Sequence, residues 1–443
     1  MVGIRRRFRY PPRPLPLAKS TKSSRRAASG RAAARSRPDE RLGIWIFGAY
    51  GGLATTLVVG TRALARGLRP PQALVTESDA VRGIALQPLG GIVFGGHEIR
   101  TGDFASQAAE IHERTGSLPP DLLRPLAKDL AAASRNVRPG VMPNAGVAIR
   151  ELAPKGERRE RLRAQVERVQ RDLQSFARRN GLDRVVCVNL TSTEPPLRPK
   201  PAHRSLAALD RAIDGDDVRA VRPSTIYAYA AASLGLPLVH FTPSNATLLP
   251  AIRELFAQSG APYMGCDGKT GETLVKSALA PMFRYRDLRV LTWQGYNILG
   301  DRDGRVLANR TNKSAKVATK DGLLASILGY PLHTHVGIDY VPSLHDLKTA
   351  WDFVHFEGFL GFKMSLQFTW QGCDAILAAP LVLDLVRFAD LAARRGESGP
   401  MPHLACYFKQ PLDSREHDLH RQWRLLLDYL DRVRSSAPRR RGR

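Results

Sequence analysis

Residues 42 to 61, LGIWIFGAYGGLATTLVVGT, run without one charged side chain. An apolar segment, Gly43 to Phe47, leads into Gly48, Ala49, Tyr50, Gly51 and Gly52, and those glycines open what reads as a helix. In a strand–turn–helix unit the backbone N–H groups at the helix start form a seat for a dinucleotide's pyrophosphate. Small residues let the main chain come close to the phosphates. A G-x-G-x-x-G counted from Gly48 would need glycines where Tyr50 and Leu53 stand. Two other readings compete. The stretch is long enough for a membrane-spanning helix, with a basic leader before it, a Gly48/Gly52 small-residue pair and Arg62 after it. Against this, its five glycines and three threonines make poor bilayer filler. The third reading is a buried strand–helix unit with no ligand.

The rest of the chain favours a doubly wound α/β sheet. Thr55 to Leu68 reads as the first helix, and Ala73 to Thr76 as a second strand closing on Glu77, about twenty residues past the glycines, where an acid takes a ribose hydroxyl or is simply a surface glutamate. Ile92 to Ile99 reads as a further strand. Residues 105 to 180 read as helical, with Glu157 to Arg179 a solvent-facing helix. Arg184 to Leu190 has the near-continuous apolar texture of a buried parallel strand. It ends in Thr191-Ser192-Thr193-Glu194, at the end of a strand where open sheets bind ligands. A helix from Pro223 and a strand at Leu238 to Thr242 continue the alternation. From residue 262 the texture changes: a polar turn at Gly265 to Thr273, a helix, then strands at Val290 to Gly300, Thr334 to Tyr340 and Trp351 to Leu360.

The net charge of +26 is concentrated at the ends. Residues 1 to 41 carry +11 and residues 432 to 443 carry +6, leaving +9 for everything between. The N-terminal tail, rich in Pro, Ser, Ala and Arg, has too little apolar surface to order itself. It reads as solvated, with nucleic-acid or anionic-surface contact, or a transit peptide, as the alternatives. Four scattered cysteines, Cys187, Cys266, Cys373 and Cys406, form no C-x-x-C, which fits a reducing compartment. No cluster of metal ligands stands out.

Several motifs recur in a telling order: Pro223-Ser224-Thr225, Gly265-x-Asp267, Tyr296-Asn297-x-Leu299-Gly300-x-x-Asp303-Gly304, Lys316/Lys320, Asp346-x-Lys348, Asp374 and Phe408-Lys409-x-Pro411. With the Gly95-Gly96 loop and the glycine turn, the chain resembles the inositol-3-phosphate synthase (myo-inositol-1-phosphate synthase) family over roughly residues 42 to 415. The resemblance implies NAD as cofactor and glucose 6-phosphate as substrate, turned into inositol 3-phosphate by oxidation, enolisation, intramolecular aldol closure and reduction. It places Lys316, Lys320, Lys348 and Lys409 as active-site lysines. Lys316 takes proton transfer and the others phosphate and oxyanion, with the roles interchangeable among them. Asn297 would orient the sugar, and Asp267 a lysine or hydroxyl. Gly48, Ala49, Tyr50, Gly51, Gly52, Thr193 and Ser224 fall to the cofactor, while Asp303 and Asp374 would lie near the nicotinamide or tie lysines in place. Clustered lysines suit such chemistry, since each is a point donor to phosphate or oxyanion and crowding by cations can turn one into a base.

The chain departs from the family pattern at Tyr50 and Ala54, which replace two glycines, and at Cys266 and Gly268. The segment Phe353 to Gln371 also fits the pattern less closely. The expected architecture is a basic tail (1–41), a Rossmann-like NAD domain (42–262), an α+β catalytic and oligomerisation domain (263–378), a return to the first domain (379–431) and a basic tail (432–443). The resemblance further implies a cytoplasmic homo-oligomer, a tetramer, with no membrane span and nucleic acid reached only through the tails. Another NAD(P)-dependent oxidoreductase acting on a phosphorylated sugar is the alternative, and a non-catalytic binder working through its tails a second.

Overall fold

The uncharged stretch at 42–61 divides into a buried strand and a helix, as a glycine turn between them requires. The computed structural model describes residues 40–154, 160–300, 323–345 and 347–436. Six strands come first: β1 (Leu42–Phe47), β2 (Ile92–Glu98), β3 (Val137–Pro139), β4 (Arg184–Asn189), β5 (Leu238–His240) and β6 (Pro262–Met264). A second set follows, β7 (Arg289–Leu299), β8 (His333–Tyr340), β9 (Leu347–Glu357) and β10 (Lys363–Cys373), and then the short β11 (Gly399–Pro400). The helices that position the site are α1 (Gly52–Ala65), α2 (Phe104–Thr115), α3 (Pro120–Ser134), α4 (Leu162–Arg179), α5 (Leu206–Asp214), α6 (Pro223–Ser233), α7 (Pro250–Ser259), α8 (Gly271–Tyr285), α9 (Asp374–Arg394) and α10 (Leu419–Ser435).

Among the described residues the larger sheet has seven strands in the order β11-β6-β5-β4-β1-β2-β3, and every neighbouring pair is parallel. The chain leaves β1 for β2 on one side and later returns to β4 on the other, so the switch point lies between β1 and β4. There the carboxyl ends of the strands open a crevice. Alternate residues of β1 serve two cores, since successive side chains point to opposite faces. Ile44 and Ile46 pack with α1, α3, α9 and α10, whereas Trp45 and Phe47 pack with α4, α5, α6 and α7. Helix α4 is not simply solvent-facing, for Leu162, Val166, Val169, Leu173 and Phe176 are buried along one side.

The smaller sheet runs β10-β9-β7-β8, with β7 and β8 parallel and the other pairs antiparallel. Its inner face packs on α8 through Phe283, Trp293 and Val354. From β10 the chain enters α9, which lies back against the first sheet and packs with α1 and β4. The expected return at residue 379 therefore falls inside one continuous helix. At the other end, α10 runs to Ser435, and Arg434 donates to the carbonyls of Arg82 and Ala80, so part of the expected basic tail is helix.

The strand expected at Ala73 to Thr76 does not form. Val75–Glu77 is a 3₁₀ turn, and the partner of β1 is β2. The cause is Asp384 on α9, whose carboxylate accepts the N–H groups of Val75 (3.0 Å) and Thr76 (2.9 Å). Those amides are spent on a side chain and leave no ladder to join. Glu77 ion-pairs with Arg387 at 2.6 Å instead of lying at a strand end.

Candidate active site

The loops after β1, β4, β5 and β6 converge at the switch point around a cleft of about 300 Å³. One wall is backbone. Gly48 holds φ +87°, and a Cβ there would stand 2.8 Å from the carbonyl oxygen of Leu190, so only glycine fits. The turn's own amides hold the turn: Gly48 and Ala49 donate to the His97 carbonyl, Tyr50 to the Glu98 carboxylate at 2.7 Å, and Gly51 to Gly48. The next amides, of Gly52, Leu53 and Ala54, are first-turn donors of α1. They have no acceptor among the described residues, and they stand at the positive end of the helix dipole. Tyr50 is tolerated where the family pattern has glycine because it needs no positive φ and packs edge-on against Phe104.

Glu98 is the residue that sequence reasoning missed. It ends β2, the true neighbour of β1, and lines the cleft. Its carboxylate also accepts the N–H groups of Ile99 and Arg100 and pairs with the Arg100 guanidinium at 3.2 Å. Counting from the correct strand would have found it in place of Glu77. Beneath the β4 loop, Glu194 accepts the N–H (2.8 Å) and hydroxyl (2.5 Å) of Ser224. Burial pushes its carboxyl up to about 7, against the pull of those bonds. Ser224 itself is fully buried and holds the loop that carries Thr193, which lines the cleft.

The opposite wall is built of ion pairs. Lys409 Nζ lies 2.9 Å from Asp267 Oδ1, and Lys348 Nζ lies 3.2 Å from Asp374 Oδ2. Lys409 reaches Asp267 across 142 positions of sequence because two segments are laced together. The Lys409 N–H donates to the Asp267 carbonyl (2.7 Å), the Lys269 N–H to that of Tyr407 (2.8 Å), and the Cys266 N–H to that of Gln410 (2.7 Å). Asp267 holds φ +58°, a region aspartate tolerates. Its Oδ2 and the Thr242 Oγ1 are buried at the cleft with no hydrogen-bond partner among the described residues. Behind this wall the Lys269 ammonium is 1% exposed and donates to Gln422 Oε1, and burial lowers it to about 8.

Of the residues expected from sequence, Gly48, Tyr50, Gly51, Gly52, Thr193, Asp267, Asp374 and Lys409 line the one cleft, and Lys348 is paired at its edge. Ala49 is buried behind the turn. Asn297 is buried on β7, where its amide donates to Glu272. Lys316, Lys320 and Asp303 lie outside the described residues. Among the described residues no group of three His, Cys, Asp or Glu side chains is placed to hold a metal ion, and no helix is long and apolar enough to cross a membrane.

The family profile for myo-inositol-1-phosphate synthase, a family of NAD-binding domains, matches residues 42–431. The chain is 34% identical over 412 residues to inositol-3-phosphate synthase 1 of Bacteroides thetaiotaomicron, covering 87% of this chain and 94% of that protein. With the inositol-3-phosphate synthase of Saccharomyces cerevisiae it shares 29% over 241 residues, 52% of this chain and 45% of the relative. The fold is that of the Caenorhabditis elegans inositol-3-phosphate synthase, with a TM-score of 0.79 at 19% identity over 90% of this chain and 87% of the other. A myo-inositol-1-phosphate synthase-related protein of Thermotoga maritima gives 0.73 at 21% identity, over 88% of this chain and 99% of the other.

Proposed function

The chain belongs to the myo-inositol-1-phosphate synthase family, and from that premise we propose that it converts glucose 6-phosphate to inositol 3-phosphate with NAD as a cofactor that is regenerated in each turnover. The observation that carries the reading is the cleft itself. It sets a helix N-terminus with open amides opposite two lysines, each seated on a carboxylate.

The residues fit a dinucleotide. Gly48 clears the approach, the amides of Gly52, Leu53 and Ala54 suit a pyrophosphate, and Glu98 stands where a ribose hydroxyl is read in such sheets. When bound, NAD supplies a hydride acceptor for the first step and a hydride donor for the last. Lys409 and Lys348 are charged donors with fixed places, suited to hold the sugar's phosphate and the oxyanion that enolisation creates. Asp267 keeps Lys409 in the cleft and offers Oδ2 to a sugar hydroxyl, as Thr242 does with its own oxygen. Asp374 holds Lys348 in place, and Thr193 lies on the cofactor side with Ser224 supporting its loop. Asn297 orients the sugar. Lys316 is assigned the proton transfer and Lys320 a share of the anion, with Asp303 near the nicotinamide.

The domain plan we adopt is a Rossmann-like unit carrying the cofactor and, after the chain returns to it, the Lys409–Asp267 pair, with the smaller sheet contributing Lys348. We assign the outer face of that sheet, where Tyr296 and Trp351 are exposed, to self-association as a tetramer in the cytoplasm. The test is to incubate purified protein with glucose 6-phosphate and a trace of NAD and to measure inositol phosphate. Product far in excess of NAD, lost in Lys409→Ala and in Lys316→Ala, supports the reading. Accumulating NADH without inositol phosphate would replace it with an ordinary sugar-phosphate oxidoreductase.

A further inference from the structure

Between α8 and the smaller sheet lies a charged cluster with no access to solvent. Glu272, Lys276 and Asp352 are 1%, 3% and 0% exposed. Glu272 stands in the first turn of α8 and Lys276 one turn later, so their side chains meet on one helix face, with Lys276 Nζ 2.5 Å from Glu272 Oε1. Lys276 also lies 3.4 Å from Asp352 Oδ1, which accepts the Trp293 indole N–H at 2.7 Å. Space for this cluster is made by Gly295, where an added Cβ would stand 2.3 Å from Glu272 Oε1 and 2.7 Å from Lys276 Nζ. Three buried ionisable groups are costly unless each is partnered.

The cluster reaches Asn297, the residue to which the proposed function gives the sugar. Glu272 Oε2 accepts the side-chain N–H of Asn297 at 2.5 Å. The registers pair Gly295 with Asp352, Asn297 with Ala350 and Leu299 with Lys348. Alternate residues share a face, so Asn297 sits on the same face between the cluster and the Lys348–Asp374 pair. An asparagine amide can be turned either way, and only its partners decide which end is which. A carboxylate held by a lysine accepts and cannot donate, so it takes the NH₂ end. That leaves Asn297 Oδ1, buried and without a partner among the described residues.

We propose that Glu272, held by the Lys276 ammonium that it shares with Asp352, is a positioning residue that locks the Asn297 amide with Oδ1 as its unpaired end, so that Asn297 serves the substrate as an acceptor for a hydroxyl proton. This rests on the reading that Asn297 orients a sugar phosphate.

The isosteric Glu272→Gln can donate as well as accept, which frees the amide to turn over. In that variant the KM for glucose 6-phosphate rises about tenfold while kcat moves by less than about threefold, the scale of one hydrogen bond in a bound complex. NAD affinity and melting temperature stay near those of the parent. The double variant Glu272→Gln/Asn297→Asp moves the charge to position 297, where an aspartate can only accept, and most of the lost affinity returns. A merely structural role for the cluster would not produce that rescue. The same chain labelled with ¹⁵N at asparagine side chains gives a readout independent of turnover. The Asn297 NH₂ signal, identified by its loss in Asn297→Asp, is hydrogen-bonded and slow to exchange in the parent and loses both properties in Glu272→Gln. If the parent does not turn over glucose 6-phosphate, the functional reading fails while the amide signal still decides the orientation. An unchanged KM in folded Glu272→Gln, strictly additive effects in the double variant or an unchanged amide signal would overturn the proposal.

Discussion

The two walls of the cleft are made of different material. On the glycine side the ligand-facing groups are main-chain amides, fixed by a turn whose own N–H groups are consumed by His97, Glu98 and Gly48. On the lysine side they are long side chains whose positions depend on carboxylates of other elements, Asp267, 142 positions away, for Lys409 and Asp374, at the start of α9, for Lys348. A backbone wall has no proton to lose and few ways to move, so it suits a cofactor that must sit still. A wall of paired lysines can be tuned, each partner adding charge and reach, and suits the part of the reaction where charge appears and disappears. The cost is fragility, because the removal of one carboxylate leaves a partly buried cation without its partner.

The sharpest way to break this contrast is to remove one group from each wall and ask which ligand notices. Lys409→Ala is expected to lower kcat by roughly 10³-fold or more, the scale for losing a charged stabiliser of a developing oxyanion. NAD affinity, measured by fluorescence quenching or calorimetry, should stay within about threefold. Weakened NAD binding in that variant would mean the walls are not separate. The converse is Gly48→Ala, whose methyl group meets the Leu190 carbonyl and whose φ of +87° is strained for alanine. The strain alone is about 1–2 kcal/mol, and displacement of the turn should weaken NAD by some 10- to 100-fold. Equal NAD affinity would show that the pyrophosphate does not use this turn. Asp267→Asn is smaller. It keeps the shape but removes the charge from beneath Lys409, and kcat/KM is expected to fall about tenfold, the scale of one charge-assisted hydrogen bond; an unchanged kcat/KM would show that Lys409 keeps its place without Asp267.

The same contrast explains what was legible in the sequence. The glycine wall is local: Gly48 to Gly52 and the strand before them are contiguous, and the run without charge marks both the strand and the helix. The strand at Arg184–Asn189 and the Thr193 loop were readable for the same reason. Glu98 is not legible because Ala73–Thr76 reads as the second strand, and nothing near that segment reveals that Asp384, about 310 positions away, takes its amides. The lysine wall was visible only as separate motifs whose order resembled a family. Spacing alone could not say that Lys409 would be stitched to Asp267 by backbone bonds between two loops. The buried cluster of Glu272, Lys276 and Asp352 gave no signal, since charges in an amphipathic helix and strand read as solvent-facing.

Lys269 offers the finest discrimination between the walls. It sits behind Lys409, is almost wholly buried and has a neutral amide, Gln422, as its hydrogen-bond acceptor. Burial disfavours its charged form and lowers it from 10.5 to about 8. Below pH 8 the ammonium is protonated both folded and unfolded, and the whole cost of burying it is borne. Between pH 8 and 10.5 the folded chain sheds the proton while the unfolded chain keeps it, so this group makes stability rise with pH across that window. The full penalty is on the order of 3 kcal/mol. Lys269→Met removes it and gives up the bond to Gln422, worth about 1 kcal/mol. The variant is therefore expected to melt a few degrees above the parent at pH 7, with the gap closing toward pH 10, in paired thermal scans. A matched Gly51→Ala on the backbone wall, where an added Cβ meets only the Gly48 carbonyl at 3.3 Å, carries no titrating group and should show a gap from the parent that does not change over the same range. A constant gap for Lys269→Met as well would mean that the ammonium is solvated after all, and that the lysine wall owes its order to packing and not to the balance of buried charge.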